Sequence, residues 1–232
     1  MGVQPSTRLL LLSALIVLVA CGVYSNARWI LAESYLRFSE QRGQSSETRS
    51  VAQQAAGIAL KLQPYSARAV QSQASNDLFL NKPQKALDEY VKALTLAPAD
   101  AYLWRDYALA LVNAGIFDQR LDRAVLQAQT WARKSKPIHM SLAVVGLRVF
   151  SQSSPSLRAQ WLNSIRFAYW TKPAVVLWYA YVEEQELLLC DNTIILQADT
   201  NAWCAAARWR HGLCSNFGAE ADSCFRKPVK KS

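Results

Sequence analysis

Histidine is scarce in this chain, and the two copies, His139 and His211, lie far apart in the sequence. No glycine-rich phosphate loop occurs, and no serine stands in a nucleophile-elbow motif. We interpret each histidine as a surface or packing residue, because neither has the sequence context of a catalytic base. The sequence therefore predicts no catalytic centre and no cofactor.

The cysteines include no Cys-x-x-Cys pair, which argues against a zinc site. Cys190, Cys204, Cys214 and Cys224 form an even set with spacings of 14, 10 and 10 residues. Two disulfides in an oxidising compartment are the prediction, with unpaired buried thiols as the alternative. Three pairings are possible, and the sequential one closes the shortest loops, so residues 190–225 are predicted to form a stapled cap.

The charge distribution gives little reason to expect a nucleic-acid partner. The net charge is +9, but lysine and arginine are scattered, with a small cluster only in a basic tail at residues 226–232. That tail could instead lie on anionic lipid headgroups or an acidic glycan. A hydrophobic fraction of 51% with eight tryptophans predicts a folded chain.

Residues 9–24 form an apolar run between Arg8 and the Arg28-Trp29 pair, which is typical of a membrane-targeting segment. Within the run, Leu18-Val19-Ala20-Cys21 matches a bacterial lipobox, so lipidation of Cys21 is one hypothesis. Residues 27–33 look helical and supply no flexible tether. We therefore favour an uncleaved signal anchor over residues 1–25.

The orientation of this anchor is weakly encoded. Arg8 precedes the span, whereas Arg28, Arg37 and Arg42 follow it, which by the positive-inside rule alone favours a cytoplasmic C-terminal domain. The even cysteine set favours the opposite orientation. We predict a single-pass protein of the bacterial inner membrane with its C-terminal domain in the periplasm.

An internal repeat is the strongest signal in the sequence. A shift of 34 residues superimposes residues 59–64 on residues 93–98, with small residues and a proline at matching offsets. Further matches place Ala52 on Ala86, Ala56 on Tyr90, Ala67 on Ala101, Val70 on Trp104 and Ala74 on Ala108. A 34-residue period of this kind resembles the tetratricopeptide repeat (TPR) family.

The resemblance implies an all-α fold, with a short TPR-like α-solenoid of helical hairpins over residues 26–189. Ala74 and Ala86 would lie where paired helices approach closely, and Tyr90 and Trp104 would fill the space between neighbouring hairpins. Proline recurs at 64, 98, 137 and 173, although the pattern degrades after residue 115. Helices are predicted at residues 138–150, 155–170, 173–189 and 202–211.

In TPR units the first helix of each hairpin forms the concave surface, and this family rule implies a partner-binding face. Two arginines, amides and aromatic rings on that face could bind an acidic peptide segment or a sugar. The residues carried over are Arg68, Gln71, Ser75, Phe79, Tyr102, Arg105, Leu109 and Asn113.

The overall layout of one anchor and a short helical domain also resembles the VpsP-type proteins of bacterial exopolysaccharide operons. That resemblance implies a scaffold that contacts a membrane protein of envelope assembly, such as a polysaccharide polymerase, ligase or exporter. A glycan- or peptidoglycan-binding lipoprotein is the alternative. A glycan-processing enzyme is a third hypothesis, resting on Glu183 and Glu186, which would share a face of one helix; a solvated acidic helix end is the simpler interpretation.

Overall fold

A computed structural model describes residues 5–43, 45–191 and 201–213. Every regular element within these ranges is helical, which confirms the all-α prediction. The chain divides into two compact units, the first ending at Ala114 and the second beginning at Gly115. The helices are α1 (Pro5–Arg42), α2 (Arg49–Leu62), α3 (Ala67–Phe79), α4 (Pro83–Leu96), α5 (Ala101–Asn113), α6 (Gln119–Trp131), α7 (Lys136–Val149), α8 (Pro155–Thr171), α9 (Pro173–Val182), α10 (Glu186–Asp191) and α11 (Asn201–Arg210), with 3-10 turns at Ser46–Thr48 and Phe150–Gln152.

The 34-residue period reappears in the helix boundaries of the first unit. Pro64 and Pro98 lie in the turns that follow α2 and α4, where a missing amide does no harm. Two residues after each proline stands an N-cap: Ser66 accepts a hydrogen bond from the amide of Ala69, and Asp100 caps the first turn of α5. Each of these prolines therefore lies between the end of one helix and the start of the next.

Alanine packing holds the helices of the first unit together. Ala74 on α3 and Ala86 on α4 are fully buried, as the repeat predicts, because larger side chains would separate the two helices. Tyr90 is buried with its ring 6.5 Å from that of Tyr107 on α5, while Trp104 lies 6.4 Å from Tyr107. These rings occupy the space between α4 and α5.

Helix α1 contains both the apolar N-terminal segment and a distal part that packs in the first unit. It runs unbroken for 38 residues, about 57 Å, so no break marks the predicted boundary at residue 25. An 18-residue stretch within Leu12–Arg42 has a mean hydropathy of 1.6, so α1 is long and apolar enough to cross a membrane. Its distal part packs on α2 and α3 and buries Ala32, Leu36 and Ser39.

The second unit contains a hairpin formed by α7 and α8, which correspond to the helices predicted at residues 138–150 and 155–170. Its core holds Trp161, whose indole N–H donates to Ser153 at 2.9 Å and whose ring lies against Gly146. The single helix predicted at residues 173–189 is wrong, because α9 ends at Val182 and α10 begins at Glu186. Glu184 between them has a φ of 54°, a left-handed conformation that ends a helix.

A disulfide joins α10 to α11 in the C-terminal region. Cys190 and Cys204 are bonded with their Cα atoms 5.5 Å apart, which confirms this pair of the sequential arrangement. Cys214, Cys224 and the basic tail lie outside the described residues. Leu189, Cys190 and Ala207 are buried beside the bridge.

A polar groove between three helices as the candidate functional site

A groove of about 530 Å³ opens along α1, α3 and α5 in the first unit. Five of the eight residues predicted for the partner-binding face line it: Arg68, Gln71, Ser75, Phe79 and Arg105. The complete lining, here called the groove, is Ser39, Glu40, Gly43, Arg68, Gln71, Ser72, Ser75, Asn76, Phe79, Asp100, Arg105 and Asp106.

The other three predicted residues lie on α5 outside this lining. Tyr102 is 46% exposed and carries the Arg105 guanidinium 5.1 Å above its ring centre. Leu109 is half-buried and Asn113 is exposed. The structure therefore concentrates the predicted face on α3 and the first half of α5.

Arg68 is held between two carboxylates of α1. Its guanidinium forms a two-pronged pair with Glu40, at 3.0 Å from Nε and 2.8 Å from Nη2, and it also donates to Glu33 at 2.9 Å. A planar guanidinium matches a carboxylate in this way more strictly than a lysine does. The positive charge is therefore already matched within the chain.

Arg105 is similarly occupied. Its Nε donates to the carboxylate of the adjacent Asp106 at 2.7 Å, and the other Asp106 oxygen accepts from the Gln71 amide at 2.7 Å. This amide-carboxylate bond joins α3 to α5. Gln71 and Arg105, which were predicted as partner-binding residues, thus also contribute to the packing of α3 against α5.

Small polar side chains form the floor of the groove. Ser39 and Ser72 are buried with their hydroxyls 3.1 Å apart, and the amide of Asn76 donates to Ser39 at 3.0 Å. Gly43 ends this row, and a Cβ there would lie 3.0 Å from the Ser39 carbonyl oxygen. The close approach of backbone and side chains explains glycine at this position.

The contribution of α1 is the part of the groove that sequence reasoning missed. Ser39, Glu40 and Gly43 lie beyond the apolar run, in a segment without an aligned repeat partner. The available signal was the polar sequence from Ser39 to Gly43, directly after the buried positions Ala32 and Leu36. Asp106 was missed too, although it follows Tyr102 by four residues and so shares its helix face.

An acidic pair lies behind the groove, between α3 and α4. Asp77 is fully buried; burial raises its pKa, but hydrogen bonds from Lys85 and Gln73 outweigh that effect and hold the pKa below its usual range. Burial and the Asp77 charge raise the pKa of Glu89 to about 7. The hairpin therefore contains one carboxylate that stays charged and one that titrates near neutrality.

The proposed glutamate pair of the second unit does not share a helix face, because α9 and α10 are separate helices. Glu183 is paired with Arg148 at 3.0 Å. Glu186 is buried and is paired with Arg210 and with His211, whose Nε2 lies 2.9 Å from it, so it is not a solvated helix end. Both carboxylates are engaged in ion pairs that connect helices.

The two histidines are placed differently. His139 is buried, its ring stacks on Phe167 at 4.3 Å, and burial lowers its pKa. His211 pairs with Glu186 near the disulfide. Within the described ranges, no group of three or more His, Cys, Asp or Glu side chains could hold a metal ion.

No family model matches the sequence, and no curated protein matches it. The structure is similar to that of PilF from Pseudomonas aeruginosa, with a TM-score of 0.56 and 17% identity over 85% of this chain and 89% of that one. The MamA protein gives a TM-score of 0.46 at 16% identity, over 72% of this chain and 79% of that one. The likeness to PilF, a TPR-repeat protein, shows that this fold is TPR-like.

Proposed function

Starting from a TPR-like fold, we propose that this protein is a membrane-anchored scaffold whose groove binds a segment of a partner protein. The observation that carries the proposal is an open groove with one exposed apolar ring. Phe79 lines the groove and is 54% exposed, while the other lining residues are polar, charged or glycine. An exposed aromatic residue beside satisfied polar groups is typical of an interaction site.

The proposed anchor is α1, crossing the bacterial inner membrane once and placing the helical domain, residues 26–189, in the periplasm. Its side chains from Leu12 to Val23 are exposed, so the protein itself leaves them uncovered. The Cys190–Cys204 disulfide supports an oxidising compartment. Cys21 is an exposed free thiol on this helix, and its lipidation would tether the helical domain to a membrane by another route.

The charges of the groove favour a neutral or basic segment over an acidic one. Three lining carboxylates face two arginines, and both arginines already hold carboxylates of this chain. An acidic ligand would have to displace Glu40 or Asp106, whereas amides such as Gln71 and Asn76 can hydrogen-bond to a peptide backbone. We therefore propose a polypeptide segment with an apolar side chain against Phe79.

The proposed partner is a membrane protein of envelope assembly, such as a polysaccharide polymerase, ligase or exporter. The support is the layout itself: a candidate membrane helix and a helical domain close to it. In this proposal the protein organises assembly and catalyses no reaction.

Site-specific photo-crosslinking in native membranes tests the groove. A photoreactive residue replaces Phe79 on α3 in one variant and Val91 on α4 in a matched control, since both side chains are about half exposed and apolar. We expect one defined membrane protein crosslinked from position 79 and from Ser75, and none from position 91. The same product from all three positions would contradict a groove-specific site.

The two groove arginines, Arg68 and Arg105, are poor positions for a binding test because both form ion pairs within the first unit. Arg68→Glu would bring a third carboxylate beside Glu33 and Glu40, so any loss of binding would also report unfolding. Phe79→Ser is cleaner, because that ring is largely exposed. We expect this variant to keep its helical content and to lose most of its affinity for the captured partner.

Glycan binding is a second candidate, favoured by exposed aromatic rings in the second unit. Trp170, Trp178 and Tyr181 are each more than half exposed, and exposed apolar rings often mark binding surfaces. Retention on purified cell-wall or capsular polymer that is lost in Trp178→Ala would support it. No retention of the wild-type protein would exclude binding to those polymers.

A further inference from the structure

A second cavity lies where the end of α2 returns to α1. Helix α2 runs back along the distal part of α1, and its last carbonyl, that of Leu62, accepts a hydrogen bond from Arg28 Nη2 at 2.7 Å. The cavity beside this bond has a volume of about 390 Å³. Its lining is Ser25, Arg28, Trp29, Leu62, Gln63, Pro64 and Tyr65.

The two aromatic side chains at this cavity are largely exposed to solvent and are not part of the core. Tyr65 is 86% exposed and Trp29 is 57% exposed. The 34-residue repeat places Ala99 at the position of Tyr65 in the next turn, so the turn geometry does not need a large ring. Tyrosine and tryptophan with one wet and one apolar side are the residues enriched at membrane surfaces.

The level of the cavity along α1 coincides with the expected edge of the hydrocarbon layer. Between Arg8 and Arg28 lie 19 residues without a charged side chain, about 28 Å of helix, close to the roughly 30 Å of a bilayer core. Arg28 is therefore the first charged side chain to emerge on the domain side. Trp29 directly follows Arg28 and lines the same cavity as Tyr65.

We infer that the α2–α3 turn docks on the bilayer interface beside α1, with Trp29 and Tyr65 in the headgroup layer and Arg28 bound to a lipid phosphate. The inference rests on the proposed membrane anchoring. The Leu62 carbonyl and the Tyr24 ring, 5.7 Å from the Arg28 guanidinium, orient that cation while leaving N–H donors free for a phosphate.

This contact fixes the height of the groove above the membrane. Ser39 follows Arg28 by eleven residues on one continuous helix, so it lies about 17 Å further along the axis. With two points of attachment, the transmembrane helix and the turn, the tilt of the first unit relative to the bilayer is restricted. The groove is then presented to partners in one orientation, close to the lipid surface.

Spin-label accessibility in lipid nanodiscs tests the contact. A nitroxide is attached to the full chain through a genetically encoded residue, which leaves the cysteines untouched, at Val17, Tyr65 or Gln84. Val17 reports on the span, and Gln84 lies in the first turn of α4, at the opposite end of the α3–α4 hairpin. Nanodiscs contain phosphatidylcholine and phosphatidylglycerol, and collisions with oxygen and with a water-soluble nickel chelate are compared.

We expect the label at position 65 to collide with nickel severalfold less than the label at position 84, at a depth near the lipid phosphate. Trp29→Ala should shift the label at 65 toward water. A label at 65 as nickel-accessible as that at 84, with position 17 buried in lipid, would overturn the docking and leave the anchor intact. A water-accessible label at 17 would overturn the anchor itself, and the docking with it.

Discussion

The two helical hairpins α3–α4 and α7–α8 reach close packing by different means. In the first, small residues stand on both helices, with Ala74 and Ala86 fully buried. In the second, Gly146 on α7 leaves space for Trp161 on α8, whose ring atoms would lie 2.9 Å from a Cβ at position 146. One hairpin pairs small with small, and the other pairs the smallest side chain with the largest.

This difference explains why the sequence repeat fades while the helical pairing continues. Helix spacing depends on the summed volume at the contact, so a glycine opposite a tryptophan serves as well as two alanines. Repeat detection depends on the same residue type at the same offset and misses such a compensation. The second hairpin should therefore be the more sensitive of the two to a single substitution.

The largest expected effect is that of Trp161→Ala. Removing a fully buried indole leaves a cavity and takes away the N–H that donates to Ser153, whose hydroxyl keeps its own bond to the Val149 carbonyl. The cost should be about 3–5 kcal/mol in the free energy of unfolding. Trp170→Ala is the matched control on the same helix, because that ring is 61% exposed and its loss should cost less than about 0.5 kcal/mol. Denaturant unfolding of the full chain in detergent measures both.

Reduction of the Cys190–Cys204 bond should have the next largest effect. Without the bond, the unfolded chain gains conformational entropy. In the loop-closure model this lowers the free energy of unfolding by about 3 kcal/mol for a loop of this length. Cys190→Ala with Cys204→Ala should therefore accelerate amide hydrogen exchange in α10 and α11 and leave α3 and α4 unchanged. Equal acceleration of exchange in α3–α4 and in α10–α11 would contradict the expectation that the disulfide stabilises only the region around it.

Ala74→Leu tests the alanine hairpin directly. Extra methyl groups between α3 and α4 should cost about 1–3 kcal/mol, because the surrounding alanines leave no space to accept them. Lys92→Leu adds a leucine to an exposed position of α4 and should change the free energy of unfolding by less than about 0.5 kcal/mol. A larger cost for Lys92→Leu than for Ala74→Leu would refute the packing argument.

The sequence predicts the first hairpins well because their packing is periodic. Three buried alanines and a turn proline recur after 34 residues, so local pattern and tertiary contact agree there: Ala52 with Ala86, Ala59 with Ala93, Ala74 with Ala108, and Pro64 with Pro98. The break between α9 and α10 was not predictable in this way. The run Trp178 to Val182 continues into Glu183 and Glu184 without glycine or proline, and the left-handed turn at Glu184 depends on tertiary packing.

The groove was predictable only in part, for a related reason. The family rule identifies positions on α3 and α5, but it cannot supply a wall from α1, which lies outside the aligned repeats. The family rule also does not say which charged side chains pair with each other. Arg68 looked free in sequence because Glu33 and Glu40, its partners, precede it by 35 and 28 residues, in a segment outside the aligned repeats.

The smallest predicted effect separates the two hairpins by the sign of their pH dependence. Glu89 has a pKa of about 7 in the folded chain against about 4.5 when unfolded, so its protonated form stabilises α3–α4 below pH 4.5 and that stability is lost as the pH rises toward 7. His139 is the reverse case: burial lowers its pKa, so its contribution to α7–α8 is present above pH 6.5 and is lost as the pH falls.

Two substitutions isolate these contributions. The stability of Glu89→Gln relative to the wild type should rise between pH 4.5 and pH 7, by on the order of 1 kcal/mol after solvent screening. The stability of His139→Gln relative to the wild type should fall as the pH rises to 6.5, whatever the packing cost of the substitution. Amide exchange in each hairpin at the two ends of these pH ranges gives the change in relative stability. Because Asp77 stays charged throughout, a flat or falling relative stability of Glu89→Gln would show that Glu89 does not titrate as its buried position beside Asp77 requires. A flat or rising relative stability of His139→Gln would contradict the opposite trend expected for that histidine.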